Sequence, residues 1–186
     1  YILQNNSLEY IFDSNSSVAM HQHANGLMHT PPALLETYLE PQGISMWWST
    51  VVYFDQSEVS KLFFDTWAHV ADNYEYYKFI YNFPGTLFRT DYCVSIAVHL
   101  LNGMTSGNVI DEFIPGTMIN MEQKDEIYEI KDVNDWIFKV ASTDANEHWK
   151  HYPVRVKDTN VHCMNKQALL REYDNLLEKF GYDRTK

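Results

Sequence analysis

Apolar positions along the chain recur with two periods, and those periods set the expected elements. Leu8, Ile11 and Phe12 stand at i, i+3 and i+4, so residues 7–12 read as a short helical segment that Asn6 or Ser7 can cap. Residues 17–20 read as a short strand. Residues 21–32 carry Gly26, two prolines and three histidines, and read as a loop. A helix is expected over 33–39, with Pro32 near its first position, and a turn at Pro41-Gln42-Gly43. Residues 44–54 are almost continuously apolar, the pattern of a strand buried on both faces.

A 3.6-residue period follows. Val59, Leu62, Phe63, Trp67, Val70, Tyr74, Tyr77 and Tyr81 form a wide apolar face. They predict one long helix over 55–83, with Ser57 as N-cap and Phe83-Pro84-Gly85 as its end. Residues 91–101 are apolar almost all round and predict a buried helix stopped by Asn102-Gly103. From 109 to 140 short strands alternate with turns, most clearly at 129–131 and 136–140. Residues 146–157 are polar, rich in His and Trp, and read as loop. A closing amphipathic helix is expected over 165–180, with Leu169, Tyr173, Leu176, Leu177 and Phe180 on one face and Gly181 as the stop. The expected fold is α/β. Residues 44–54 form the central strand of a mixed sheet, and the helices 57–83 and 91–101 cover it.

A length of 186 residues suits one domain, 1–186. Hydrophobic residues at 45% supply a sizeable core and argue against disorder. Aromatics at 15% imply a thick aromatic core, ring-lined clefts, or both. A net charge of −11 argues against general nucleic-acid binding and against docking on anionic lipid. No apolar run approaches the roughly 20 residues of a membrane span, and no basic-then-apolar leader is present. Cys93 and Cys163 sit in apolar contexts outside any C-x-x-C pair, and read as buried reduced thiols of a cytoplasmic protein. The chain opens on the apolar stretch Tyr1-Ile2-Leu3, which reads as part of a longer or processed protein.

Four groups of residues are candidates for chemistry. His21 and His23 stand at alternate positions with His29 nearby; on a strand the first two would share a face and could meet one metal, although loop histidines are usually solvated. Arg89-Thr90-Asp91 precedes the buried helix. Thr90 or Asp91 could simply cap it, or Asp91 could be a rigid carboxylate that orients or deprotonates a hydroxyl, with Arg89 pairing to it or clamping a phosphate. His162 and Lys166 flank the start of the last helix; Lys166 there is either an ordinary surface lysine or a contact for an anionic group such as a diphosphate. Trp47, Trp48, Tyr53, Trp67, Tyr74, Tyr76 and Tyr77 are mostly core, and some could stack on a sugar ring.

The order of these pieces is more informative than any one of them. Met46-Trp47-Trp48-Ser49-Thr50-Val51-Val52-Tyr53-Phe54 is followed by Asp55-Gln56-Ser57, then Phe63-Phe64-Asp65-Thr66-Trp67, Phe83-Pro84, Arg89-Thr90-Asp91 and Ser95-Ile96-Ala97. Over about residues 1 to 110 this resembles the acceptor-side part of GT-A-type glycosyltransferases. It is closest in pattern to glycogenin-like and marine viral or bacterial glycosyltransferase-like proteins. The resemblance implies a partial GT-A fold, a nucleotide-sugar donor, a carbohydrate acceptor and a Mn²⁺ or Mg²⁺ ion. Asp91 would be the catalytic carboxylate. Arg89, Thr90, Ser49, Thr50, Trp48 and Lys166 would bind substrate, and His162 would ligate the metal. No Asp-x-Asp motif occurs in the chain, so the nucleotide-binding half is expected to lie outside it. The edge left exposed by that missing half would call for a homodimer. The alternative is a non-catalytic module that binds a carbohydrate or a protein through its aromatics.

Overall fold

The computed structural model describes residues 9–28, 39–83, 88–104, 109–110, 114–143 and 149–181. In chain order the elements are α1 (Glu9–Phe12), β1 (Val18–His21), β2 (Ala24–Gly26), a 3₁₀ turn (Glu40–Gln42), β3 (Trp48–Phe54), α2 (Glu58–Asp72), α3 (Tyr74–Ile80), α4 (Thr90–Leu101), β4 (Met118–Met121), β5 (Glu126–Asp132), β6 (Asp135–Thr143), β7 (Trp149–Lys157), β8 (Val161–Cys163), α5 (Lys166–Arg171) and α6 (Tyr173–Phe180). The architecture is mixed α/β. Residues 33–38 of the helix expected over 33–39, and His29, lie outside the described residues; Leu39 is helical and buried. The contacts of the chain gather into two compact units.

One unit comprises Ser7–Ala24 and Pro32–Thr117. Among the described residues its sheet is the antiparallel pair β1 and β3. Val18, Met20 and Trp47 pack with Phe63 of α2 and with Val94 and Val98 of α4 on one side. Ala19 packs with Ile11 and Ile114 on the other, where Val51 and Tyr53 join them. The α2 start is built from local hydrogen bonds. The Ser57 hydroxyl accepts from the Ser60 N–H at 3.2 Å, as an N-cap does. Asp55 Oδ1 accepts from the Ser57 N–H at 2.9 Å and lies 2.7 Å from the Ser60 hydroxyl. The Asp55 N–H donates to the Ser17 carbonyl, so the helix start is tied to the start of β1.

Two expectations for this unit are corrected. Residues 44–54 do not form one strand: only Trp48–Phe54 is a strand, its one strand neighbour among the described residues is β1, and most of its side chains are half-buried. Ile44, Met46 and Trp47 before it are buried outside any strand, Trp47 packing with Val94 and Val98 of α4. The helix expected over 55–83 is two helices that meet at Asn73. The Asn73 side-chain amide donates to the His69 carbonyl at 2.9 Å, and its backbone leaves helical geometry (φ −111°, ψ 28°). A short polar side chain that competes for helix carbonyls is a common cause of such a break.

The second unit comprises Tyr1–Asn6, Asn25–Pro31 and Met118–Lys186. One sheet has the order β2-β4-β8, with β4 and β8 parallel and Ile119, Asn120 and Met121 opposite Val161, His162 and Cys163. The other is the antiparallel meander β5-β6-β7. Both contribute to one core: Ile130, Trp136, Phe138, Val140 and Val156 from the meander meet Ile119, Met121, Val161 and Cys163, with Ala168 of α5 packed against them. Of the loop expected at 146–157, residues 146–148 lie outside the described residues, and residues 149–157 are corrected to strand β7. Its inward positions, Val154 and Val156, alternate with exposed Pro153, Arg155 and Lys157. Pro153 is tolerated because β7 is at the sheet edge, where a missing N–H breaks no ladder. The closing helix also divides, at Glu172, between an Asn165 N-cap and Gly181, whose left-handed backbone (φ 60°) ends it.

Candidate functional site

The first buried turn of α4 faces the start of β3, and side chains of the helix take the place of a neighbouring strand. The Trp47 N–H donates to the Ser95 hydroxyl at 2.8 Å. That hydroxyl in turn donates to the Asp91 carbonyl at 2.7 Å. Two residues further along β3, Ser49 donates both its N–H (3.0 Å) and its hydroxyl (2.7 Å) to Asp91 Oδ1. The match is geometric: two strand residues advance about 6.6 Å, and four helical residues advance about 6 Å. Alternate N–H groups of the strand therefore meet Ser95 and Asp91, one helical turn apart.

This clamp accompanies a slip in strand pairing. Met20 is opposite Val52, yet His21 is opposite Trp48, so Ser49, Thr50 and Val51 bulge with no register partner in β1. Bulges of this kind recur beside functional sites, where they re-aim side chains. Asp91 is half-buried at the mouth of the bulge. Among the described residues, only Ser49 hydrogen-bonds its carboxylate, and only through Oδ1.

Asp91 and Ser49 are thus brought together, and Trp48 and Thr50 flank them on β3. Neither Thr90 nor Asp91 caps α4: the N-cap is Arg89, whose side chain makes no capping bond. Arg89 lies over the Tyr92 ring at 5.9 Å instead of pairing with Asp91. Thr90 is exposed. Aromatic rings run on from here, Tyr77 stacked on Tyr81, Tyr81 on Phe83, and Phe83 against Tyr92. Burial raises the phenols of Tyr74, Tyr77 and Tyr81 above their ordinary value, so these rings are neutral packing groups.

His162 and Lys166 belong to the other unit. His162 is half-buried, with Nδ1 3.0 Å from Asn120 Oδ1 across the β4–β8 pair. Lys166 is exposed at the start of a six-residue helix capped by Asn165, whose Oδ1 accepts from the Ala168 N–H. Among the described residues no three His, Cys, Asp or Glu side chains are grouped to hold a metal ion. His21 is buried and His23 is exposed, so the pair does not present one face. The unit that carries His162 has a cleft of about 110 Å³ lined by Asp125 and by the Glu122–Lys124 ion pair. Burial raises the Asp125 carboxyl, although the Ala141 and Glu122 N–H groups both bond to it. The cleft is smaller than the roughly 300–1,000 Å³ of a small-molecule site, and Asp125 serves to pin the β4–β5 turn to β6.

Sequence reasoning missed the part played by Ser95, although it stands in the Asp-x-x-x-Ser spacing that carried the resemblance; the spacing of one helical turn was the available signal. It also missed that His21 closes β1 as a buried group. Both cysteines are free and buried, as expected. No helix among the described residues is long and apolar enough to cross a membrane. No family model matches the chain, and no curated protein or solved structure matches it either.

Proposed function

We propose that the β3–α4 junction is the acceptor-hydroxyl site of a glycosyltransferase that uses a nucleotide-sugar donor. The observation that carries this reading is the Asp91 carboxylate: Ser49 fixes one oxygen, and the other takes no hydrogen bond from a described residue. A carboxylate held in that way can accept a hydrogen bond from an acceptor hydroxyl. It can take the hydroxyl proton as the new C–O bond forms and the nucleoside diphosphate leaves. Trp48 and Thr50 lie beside it on β3, and Arg89 lies on the same turn. The donor half, with its Mn²⁺ or Mg²⁺, belongs in this reading to sequence outside these 186 residues. The two-stranded β1–β3 sheet adds no support to the GT-A resemblance. The support is local, from Asp91, Ser49 and Ser95.

The test is release of nucleoside diphosphate from pooled nucleotide-sugars, with Mn²⁺ and a panel of glycan acceptors, by the protein carrying its donor half. Acceptor-dependent release supports the reading. Release that never depends on an acceptor contradicts it.

A second reading, a non-catalytic binding module, is favoured by one surface. On α3, Tyr76 (61% exposed), Phe79 (83%) and Ile80 (44%) stand at i, i+3 and i+4 and form an apolar stripe. If this stripe is the functional surface, Phe79→Ala abolishes glycan or protein binding while Asp91→Asn leaves it unchanged.

A further inference from the structure

His21 and Trp48 are directly opposed across the β1–β3 pair, at the point where its register slips. Both side chains are more than nine-tenths buried, His21 at 4% exposure and Trp48 at 6%. Neither imidazole nitrogen of His21 makes a well-formed hydrogen bond to another described residue, the Gly116 backbone beside the ring being its one polar neighbour of note, and the Trp48 indole N–H makes none to a described residue. Buried polar groups are almost always paired, and leaving one unmet is costly. Here three such atoms fall on one opposed residue pair. Opposed residues of an antiparallel pair share a face, with Cβ atoms about 4.5–5.5 Å apart. His21 and Trp48 are register partners at the slip, so their two side chains leave the strand pair at the same point along it.

We propose that His21 and Trp48 form a closed binding site for a single hydroxyl-type oxygen, held between the indole N–H and the imidazole. The donor inventory selects this ligand. The indole N–H only donates, so the ligand must accept. Burial lowers the basicity of His21 and keeps it neutral, so the imidazole offers one donor and one acceptor. An ammonium cannot accept from Trp48. An anion finds no positive charge on either ring to offset its desolvation. A hydroxyl oxygen both accepts and donates, and is small enough for a buried site. The Gly116 backbone lies within hydrogen-bonding reach of the His21 ring and is itself exposed, so the 115–117 turn is the nearest solvent-facing segment. Solvent water and a carbohydrate hydroxyl share this chemistry. The site includes neither Asp91 nor a donor, so it stands or falls independently of the glycosyl-transfer reading.

The test is cross-relaxation from the Trp48 indole proton in the uniformly ¹⁵N-labelled full chain, with Trp48→Phe assigning the signal. A long-lived cross-peak to water is expected, together with a single neutral tautomer of His21 in its ¹⁵N shifts. Methyl glucoside is then added in excess. A water cross-peak that persists identifies water as the resident, and its replacement by sugar protons identifies a sugar hydroxyl; either puts a hydroxyl oxygen in the site. In His21→Phe the cross-peak is expected to be lost. Absence of any cross-peak to water or sugar in the wild type overturns the proposal. So does a cross-peak that His21→Phe leaves unchanged, because the two rings then do not share one ligand.

Discussion

Ser49 and Asp91, 42 residues apart, are joined by two hydrogen bonds to one carboxylate oxygen, from the Ser49 N–H at 3.0 Å and from its hydroxyl at 2.7 Å. With the Trp47–Ser95 bond one turn further along the helix, they tie backbone N–H groups at the start of β3 to side chains of α4. The strand segment so held is also the one that leaves its register with β1. Fold and proposed site therefore depend on the same few atoms.

Removing the Asp91 side chain leaves the Ser49 N–H without its acceptor. Asp91→Ala is expected to cost about 1–3 kcal/mol in urea-induced unfolding. Asp91→Asn keeps an oxygen that can accept both bonds, and is expected to stay much closer to wild type.

Ser95 is fully buried and is the acceptor for the Trp47 N–H. Ser95→Ala strands that N–H and is expected to cost about 1–3 kcal/mol by the same argument. Combined with Asp91→Ala, the loss should be non-additive, because both residues hold one strand segment. Strict additivity in the double-mutant cycle would separate the two bonds.

Hydrogen bonds from Ser57 and Ser60 hold the Asp55 carboxyl down at about 2. A carboxyl depressed in the folded state contributes stability that is present above its unfolded value, near 4, and is lost as pH falls towards 2. Thermal melts between pH 5 and pH 2 should therefore lose stability more steeply in wild type than in Asp55→Asn. Parallel curves for the two proteins would remove Asp55 as a source of the acid sensitivity.

Burial pushes the Cys93 thiol up to about 11, and raises Cys163 as well. Both are expected to resist alkylation by iodoacetamide at pH 8 in the folded chain and to react fully in denaturant. Mass spectrometry of the quenched mixture reads this directly. Rapid labelling of either thiol without denaturant would contradict the packing around it.

Elements that announce themselves by local chemistry were legible in the sequence. The Ser57 cap, the all-round apolar helix beginning near Asp91, the strand residues at 129–131 and 136–140, and the Gly181 stop are all found. Elements decided by partners were not. An apolar run such as 44–54 says that its backbone is buried, and cannot say whether a strand or the side chains of Asp91 and Ser95 will satisfy it. The apolar period runs unbroken from Val70 to Tyr81, so only the carbonyl-seeking amide of Asn73 marks the helix break. In β7 the inward positions are visible only once the polar residues from Lys150 to Lys157 are known to lie on a sheet edge. Of the site, Asp91 is marked by its place before the buried helix, Trp48 by the aromatic group, and Ser49 by the resemblance alone. The contact between Asp91 and Ser49, and the opposition of Trp48 to His21, are tertiary facts that no local pattern contains.

The central claim is that Asp91 does more than hold Ser49: its second oxygen orients or deprotonates an acceptor hydroxyl. The most direct measurement is turnover of Asp91→Asn beside wild type, in the protein carrying its donor half, with unfolding midpoints recorded for both. The account predicts near-equal stability and a loss of transfer on the order of 10²–10⁴-fold. Equal turnover at equal stability would contradict it and leave Asp91 as the clamp between β3 and α4.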